Sequence, residues 1–392
     1  MLSTIPAPAA VNGFASEGPT VSSRGTYNAK TESVLRREIS DFEALPSARA
    51  AAFTLVEMLQ KEQRQTLVCK PKDIKIGDDA AITLADEQIM FSKQAFQGLC
   101  RQLGWSGAAG YLSAVSPELR AYNLRALLRG SSLDALQIRV RVAPSGERSV
   151  YAVVGQDYPA ADGITVLQHI ASHAPTDAKA DWRYSYANTR IEFKELLRQE
   201  INPKNYVFNK DVFQIGRAWN IVDTGAAAIR AALLTFRRQC ANMILVQSNE
   251  DFIMRAVHRG DLDAMQRKLV NVTSSLGDAS AKFISAWDSA RDIRVLPDAT
   301  MDYAVKMYER LAADKYLPVT KADAPLVVAG LAMAWSDEHG VSVADIVNGI
   351  TRYARDLSVK GSRPFVVEEF ESAAGDLLTL PARQWTRMAL AH

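Results

Sequence analysis

From Leu136 to Val142 the chain reads LQIRVRV. Strict alternation puts Leu136, Ile138, Val140 and Val142 on one face of a strand, and Gln137, Arg139 and Arg141 on the other. Pro144-Ser145-Gly146-Glu147 supplies a turn, and Ser149–Val154 resumes the strand pattern, so a hairpin is predicted. Further strand signals follow. Residues 182–193 (WRYSYANTRIEF) are aromatic and alternating, and residues 206–222 again read mostly as strand. Strands gathered in the middle of a chain, instead of alternating with helices, predict an α+β fold with a central antiparallel sheet flanked by helices. A doubly wound nucleotide-binding fold needs βαβ alternation and a glycine fingerprint, and the sequence has neither.

Helical spacing surrounds this centre. It runs over 33–61, where Pro46 separates two helices, and over 92–103, which Gly104 ends. It runs over 116–129, with Ser116 as N-cap, Pro117 in the first turn and Gly130 as the stop. A short helix is predicted over 163–173, and a small hairpin over 67–84. Asp223-Thr224-Gly225 is read as the start of a long Ala-rich helix, AAAIRAALLTFRRQCANMILV, with helix continuing over 250–290. More helices are expected at 295–311, 325–334, 343–357 and 368–380. Residues 1–31, rich in Ala, Pro, Ser and Gly, read as a flexible N-terminal arm, either disordered or ordered on a partner subunit. The expected plan is an arm over 1–31, an α+β core over 32–294 and a helical region over 295–392.

A net charge of +2 excludes binding through bulk charge. The distribution is uneven. Residues 120–148 hold six arginines and two acids, residues 183–259 hold twelve basic and seven acidic side chains, and residues 295–392 hold ten basic and thirteen acidic. Basic strands with interleaved aromatics suit single-stranded nucleic acid, where cations meet phosphates and bases stack on rings. Arg139, Arg141, Arg183, Arg190, Lys194, Arg217, Arg230, Arg237 and Arg238 are the candidate phosphate contacts. Tyr184, Tyr186 and Trp219 are the candidate stacking residues. A half-buried sheet with aromatics inward and arginines solvated produces the same alternation.

Other motifs carry less. Residues 104–110 (GWSGAAG) lack the Lys-Ser/Thr of a phosphate loop and read as a loop between helices. His169 and His173 share a helix face, but no acid follows as in the metalloprotease pattern and no Cys is near. They read as solvated, and no metal is assigned. Asp78-Asp79 and Glu368-Glu369 read as turn and surface acids. Cys69, Cys100 and Cys240 form neither a disulfide framework nor a zinc motif, and suit a reducing compartment. The N-terminus has no secretory pattern, and no apolar run approaches membrane-spanning length. No nucleophile elbow or cofactor motif occurs, so no catalytic residue and no cofactor are predicted.

The stretch 136–171 resembles a phage- and plasmid-borne family of unknown function, in which a strand hairpin leads into an S-x-x-Y-x-x-x-D segment. Here that segment reads Tyr151-Ala152-Val153-Val154-Gly155-Gln156-Asp157-Tyr158, with Asp162 following. The stretch 213–242 is similar to the family's second signature, R-x-x-C-x-N-G. Here it reads Arg237-Arg238-Gln239-Cys240-Ala241-Asn242, with Met243 in place of the glycine and NIVDTG (220–225) in place of the usual N-S-E-v-G turn. The resemblance spans roughly 90–315. It implies a phage, prophage or plasmid setting in a bacterial cytoplasm, and no transferable chemistry. In strand–helix order alone, its members resemble ring-forming single-strand annealing proteins. The expectation is a non-catalytic homo-oligomer that binds nucleic acid, with single-stranded DNA favoured, in replication or recombination, and that engages no membrane. The alternative is a phage structural or assembly component that binds protein only.

Overall fold

The computed structural model describes residues 20–22, 25–26, 45–142, 146–158, 163–185, 189–201, 213–225, 229–237, 242–246, 253–256, 267, 276–296, 301–314, 316, 327, 341–359 and 364–390. Tyr186, Arg238, Cys240 and nearly all of the helix expected at 325–334 lie outside these residues.

Two short strands, β1 (Thr20–Ser22) and β2 (Gly25–Thr26), fall in the stretch read as an arm. Helix α1 (Ala48–Lys61) begins after Pro46, and the Ser47 side chain accepts from the Ala50 N–H. Such a cap is worth about 1 kcal/mol. A small lobe follows. Its strands are β3 (Gln63–Cys69), β4 (Lys75–Ile76), β5 (Ile82–Leu84), β6 (Glu87–Gln88) and β7 (Met90–Phe91). Its helices are α2 (Lys93–Gln102), α3 (Ala108–Ala114) and α4 (Pro117–Gly130), and the hairpin β8 (Leu136–Val142) and β9 (Arg148–Gly155) closes it. Ser92 and Ser116 cap α2 and α4 from the side chain. The lobe's main sheet runs β3-β8-β9-β7, with β4-β5-β6 as a separate sheet. The predicted hairpin is present, with Leu136 opposite Gly155 and a bulge after Arg139. Phe96, Leu99, Leu112, Leu124 and Leu128 from the helices pack on Ile138, Val140 and Val150.

Helix α5 (Gly163–His173) leads into the central sheet of β10 (Lys179–Ser185), β11 (Arg190–Ile201), β12 (Phe213–Val222), β13 (Ile229–Arg237), β14 (Asn242–Val246) and β15 (Ile253–Ala256). Its order is β14-β13-β12-β11-β10-β1-β2, with β15 also on β13, and every pairing is antiparallel. One face packs Trp182, Phe193, Trp219 and Ile221 against α1 and α5.

The long helix expected after Asp223 is not formed: residues 229–237 and 242–246 are the strands β13 and β14. The physical reason is burial on both faces. Leu233 packs into one core and its neighbour Leu234 into another. A strand covered on both sides is apolar almost continuously, so its sequence matches a buried helix as well as a strand. Asp223, which with Thr224 offered a cap for that helix, takes part in a buried ion pair instead.

The C-terminal region is helical: α6 (Leu276–Asp292), the short strand β16 (Arg294–Leu296), α7 (Met301–Ala313), β17 (Val341–Ser342), α8 (Val343–Val359), α9 (Pro364–Leu378) and α10 (Ala382–Leu390). Phe283, Trp287, Tyr308, Ile346, Phe370 and Trp385 form its core and bury Phe213, Leu233 and Ile244 of the sheet. The molecule is thus α+β, with antiparallel sheets flanked by helices. No described helix is long and apolar enough to cross a membrane.

Candidate functional site

The residues expected to meet phosphate are largely interior. Arg139, Arg141, Arg183, Lys194 and Arg217 are each no more than 9% exposed. A buried cation needs a partner, because transfer out of water costs several kcal/mol per ion. Carboxylates supply it, and strand register explains how. Glu195 lies directly opposite Arg217 in the ladder. The pair is bidentate, with Nε donating over 2.9 Å and Nη2 over 2.8 Å. Glu192 lies opposite Arg183, 3.5 Å from it.

A second cluster joins the small lobe to the central sheet. Arg139 pairs with Asp223, and Arg64 reaches the same carboxylate at 3.4 Å. Arg64 and Arg141 both contact Glu62, at 2.8 and 3.3 Å. The Tyr184 hydroxyl donates to Glu62 over 2.8 Å. Arg141 also stands 5.3 Å over the Tyr151 ring, and Arg139 stands 5.0 Å over Tyr158. Burial works against the Arg64 charge, but Tyr184, Glu62, Tyr151 and Asp223 more than reverse it and hold its pKa above the ordinary value. Burial pushes Tyr184 and Tyr158 well above the usual phenol range.

The third group lies between the sheet and α9. Arg190 bridges Glu192 at 3.1 Å and Glu368 at 3.2 Å, while Lys194 contacts Glu371 at 3.2 Å. Beside them is a cavity of ≈ 20 Å³, lined by Glu192, Lys194, Asn220, Arg230 and Glu368 among others. That is room for about one water molecule. The Arg230 Nε and Asn220 Oδ1 atoms have no hydrogen-bond partner among the described residues. Glu368 was read as a surface acid. It is largely buried, and burial and Glu192 push its pKa up against the pull of Arg190, Lys194 and Arg183. The stability that its protonated form contributes is complete below the ordinary carboxylate value and is lost as pH rises through the folded-state value. Melting curves from acid to neutral pH should therefore show Glu368→Gln gaining on the native chain as pH rises. A difference independent of pH would contradict this.

Two stacking candidates are also misplaced for that role. Tyr184 and Trp219 are core residues, so no base can reach their faces. Arg237 is in β13, and its side chain lies outside what is described. His169 and His173 stack at 4.1 Å, with His173 Nδ1 2.9 Å from the His169 carbonyl. No cluster of three metal-ligating side chains occurs among the described residues. Of the glycine segment 104–110, residues 104–107 form the loop and residues 108–110 begin α3.

No sequence motif pointed to the exposed apolar side chains. Seven large apolar side chains are exposed among the described residues, and five of them, Trp105, Tyr111, Leu119, Tyr122 and Leu133, fall within 105–133. Trp105 and Tyr111 are ring neighbours at 6.0 Å. On α4, Leu119 and Tyr122 point outward because Arg120 is anchored inward on the Leu112 carbonyl at 2.6 Å. The signal was available: Leu119 and Tyr122 fall on the opposite side of the 3.6-residue period from Ala121, Leu124 and Leu128. Comparison with protein-family models, curated proteins and solved structures gives no match.

Proposed function

We propose that this chain is a non-catalytic assembly component that binds protein, in the phage or plasmid setting its sequence resemblance implies. One observation carries the reading. Arg139, Lys194 and Arg217, which would attract a polyanion, are buried against carboxylates, while five of the seven exposed large apolar side chains among the described residues fall within 105–133 of the small lobe. Tyr and Trp are the residues enriched where proteins meet. Light scattering on nuclease-treated protein tests this. The expected result is a defined homo-oligomer without nucleic acid, weakened by Tyr122→Asp; a monomer at every concentration overturns it.

A second reading, binding of single-stranded nucleic acid, rests on Arg230. This guanidinium has no carboxylate partner among the described residues, and it lines the cavity beside Lys194. Replacing Arg230 would then abolish salt-dependent oligonucleotide binding.

A further inference from the structure

The segment 104–115, GWSGAAGYLSAV, carries no charged residue. It presents Trp105 at 39% exposure and Tyr111 at 48%. Their rings lie 6.0 Å apart and are tilted by 44°. Around them, Gly104, Gly107 and Gly110 face open space, with no atom within 4 Å of where a Cβ would stand. Two splayed rings with bare backbone beside them make a shallow, neutral slot that another chain's backbone can enter closely. The segment itself offers no cation to a phosphate backbone. The ligand chemistry that suits such a slot is a proline-containing segment, whose preset φ gives an extended helix with little ordering cost.

This chain carries such a segment. Its first sixteen residues, MLSTIPAPAAVNGFAS, have no charged side chain, and Pro6 and Pro8 alternate with alanine. We propose that residues 5–9 (IPAPA) of one copy dock against the outer side of the Trp105–Tyr111 ring pair of a second copy, so that arms exchanged between protomers hold the assembly together. This rests on the assembly reading and names its contact. The twelve residues from Pro8 to Thr20 of β1 span up to about 40 Å when extended, which gives the segment a long reach from the sheet edge. Prolines seated on the exposed ring surfaces make apolar contact, and the neutrality of both partners makes the contact insensitive to salt.

The test uses full-length chains. Trp105→Ala, and separately the pair Pro6→Asp and Pro8→Asp, are compared with the native chain by light scattering, with circular dichroism as the check on folding. Each should raise the dissociation constant of the assembly about tenfold or more, as loss of an aromatic anchor does. The two variants mixed in equal amounts should regain part of the assembly, since one supplies a sound slot and the other a sound arm. Variants that fold and assemble like the native chain overturn the arm exchange and leave the assembly reading intact. A native chain that is monomeric overturns both. A native assembly that both variants weaken, with no recovery on mixing, contradicts exchange between copies.

Discussion

Replacing Asp223 by alanine is expected to lower the melting temperature sharply. Asp223 pairs with Arg139 and contacts Arg64 at 3.4 Å, and all three side chains are largely buried. Alanine removes the counter-charge but leaves both guanidinium groups inside. Removing one partner of a buried ion pair costs about 3–5 kcal/mol, because the remaining charge is neither solvated nor compensated. At about 2.1 cal/mol/K of unfolding entropy per residue, a 392-residue chain then drops by roughly 4–6 °C. The damage should extend beyond the pair. Arg139 belongs to β8 and Asp223 follows β12, so the interaction joins the small lobe to the central sheet. Thermal unfolding followed by circular dichroism checks it. A variant within a degree or two of the native chain would mean that the cluster is solvated and the arginines are available to other partners.

The second large effect is expected at Gly216, which lies opposite Leu196 in the antiparallel ladder of β11 and β12, next to a register shift. A Cβ there would stand 1.8 Å from the Glu195 carbonyl oxygen and 3.1 Å from the Leu196 Cα. Both obstacles are backbone, so no rotamer change relieves the clash and the strands must separate. Separation also pulls apart Glu195 and Arg217, whose bidentate contact spans the same two strands. Overpacking costs typically about 1–3 kcal/mol, and a backbone obstacle beside a buried ion pair puts this change at or above the top of that range. Gly216→Ala should therefore accumulate as insoluble or weakly folded protein, measurable as a lost or broadened unfolding transition. A sharp transition near the native temperature would contradict the register described for these strands.

How far the sequence anticipated this molecule depends on what each residue has on its two sides. Where one face is wet, period carries the answer: α4 was legible from Ser116, Pro117 and the spacing of Ala121, Leu124 and Leu128, and the β8–β9 hairpin from LQIRVRV and its turn. Where both faces are covered, period fails. That is why β13 and β14 read as a helix, and why Arg139 and Arg141 read as a polar face when they are interior. The arginines were visible as a basic middle, and the acids as an acidic end. Their meeting was not, because Lys194 and Glu371 are 177 residues apart in the chain. Glu62, Glu192 and Glu195 passed unnoticed, since an isolated glutamate has no motif, and only strand register shows which cation it faces. Part of the site was legible in reverse: the outward side of α4 follows from the same period that identifies its core, but the sequence reading followed charge and overlooked aromatics outside the strands.

The central claim is that the sheet cations hold the fold together and do not recruit a polyanion. Fluorescence anisotropy of a labelled single-stranded oligonucleotide, titrated with the full-length chain at low salt, tests it most directly. The expected result is no saturable rise at micromolar protein. A saturable rise that falls steeply as salt is added, and that is lost on replacing Arg183, Arg190 or Arg230, would contradict it.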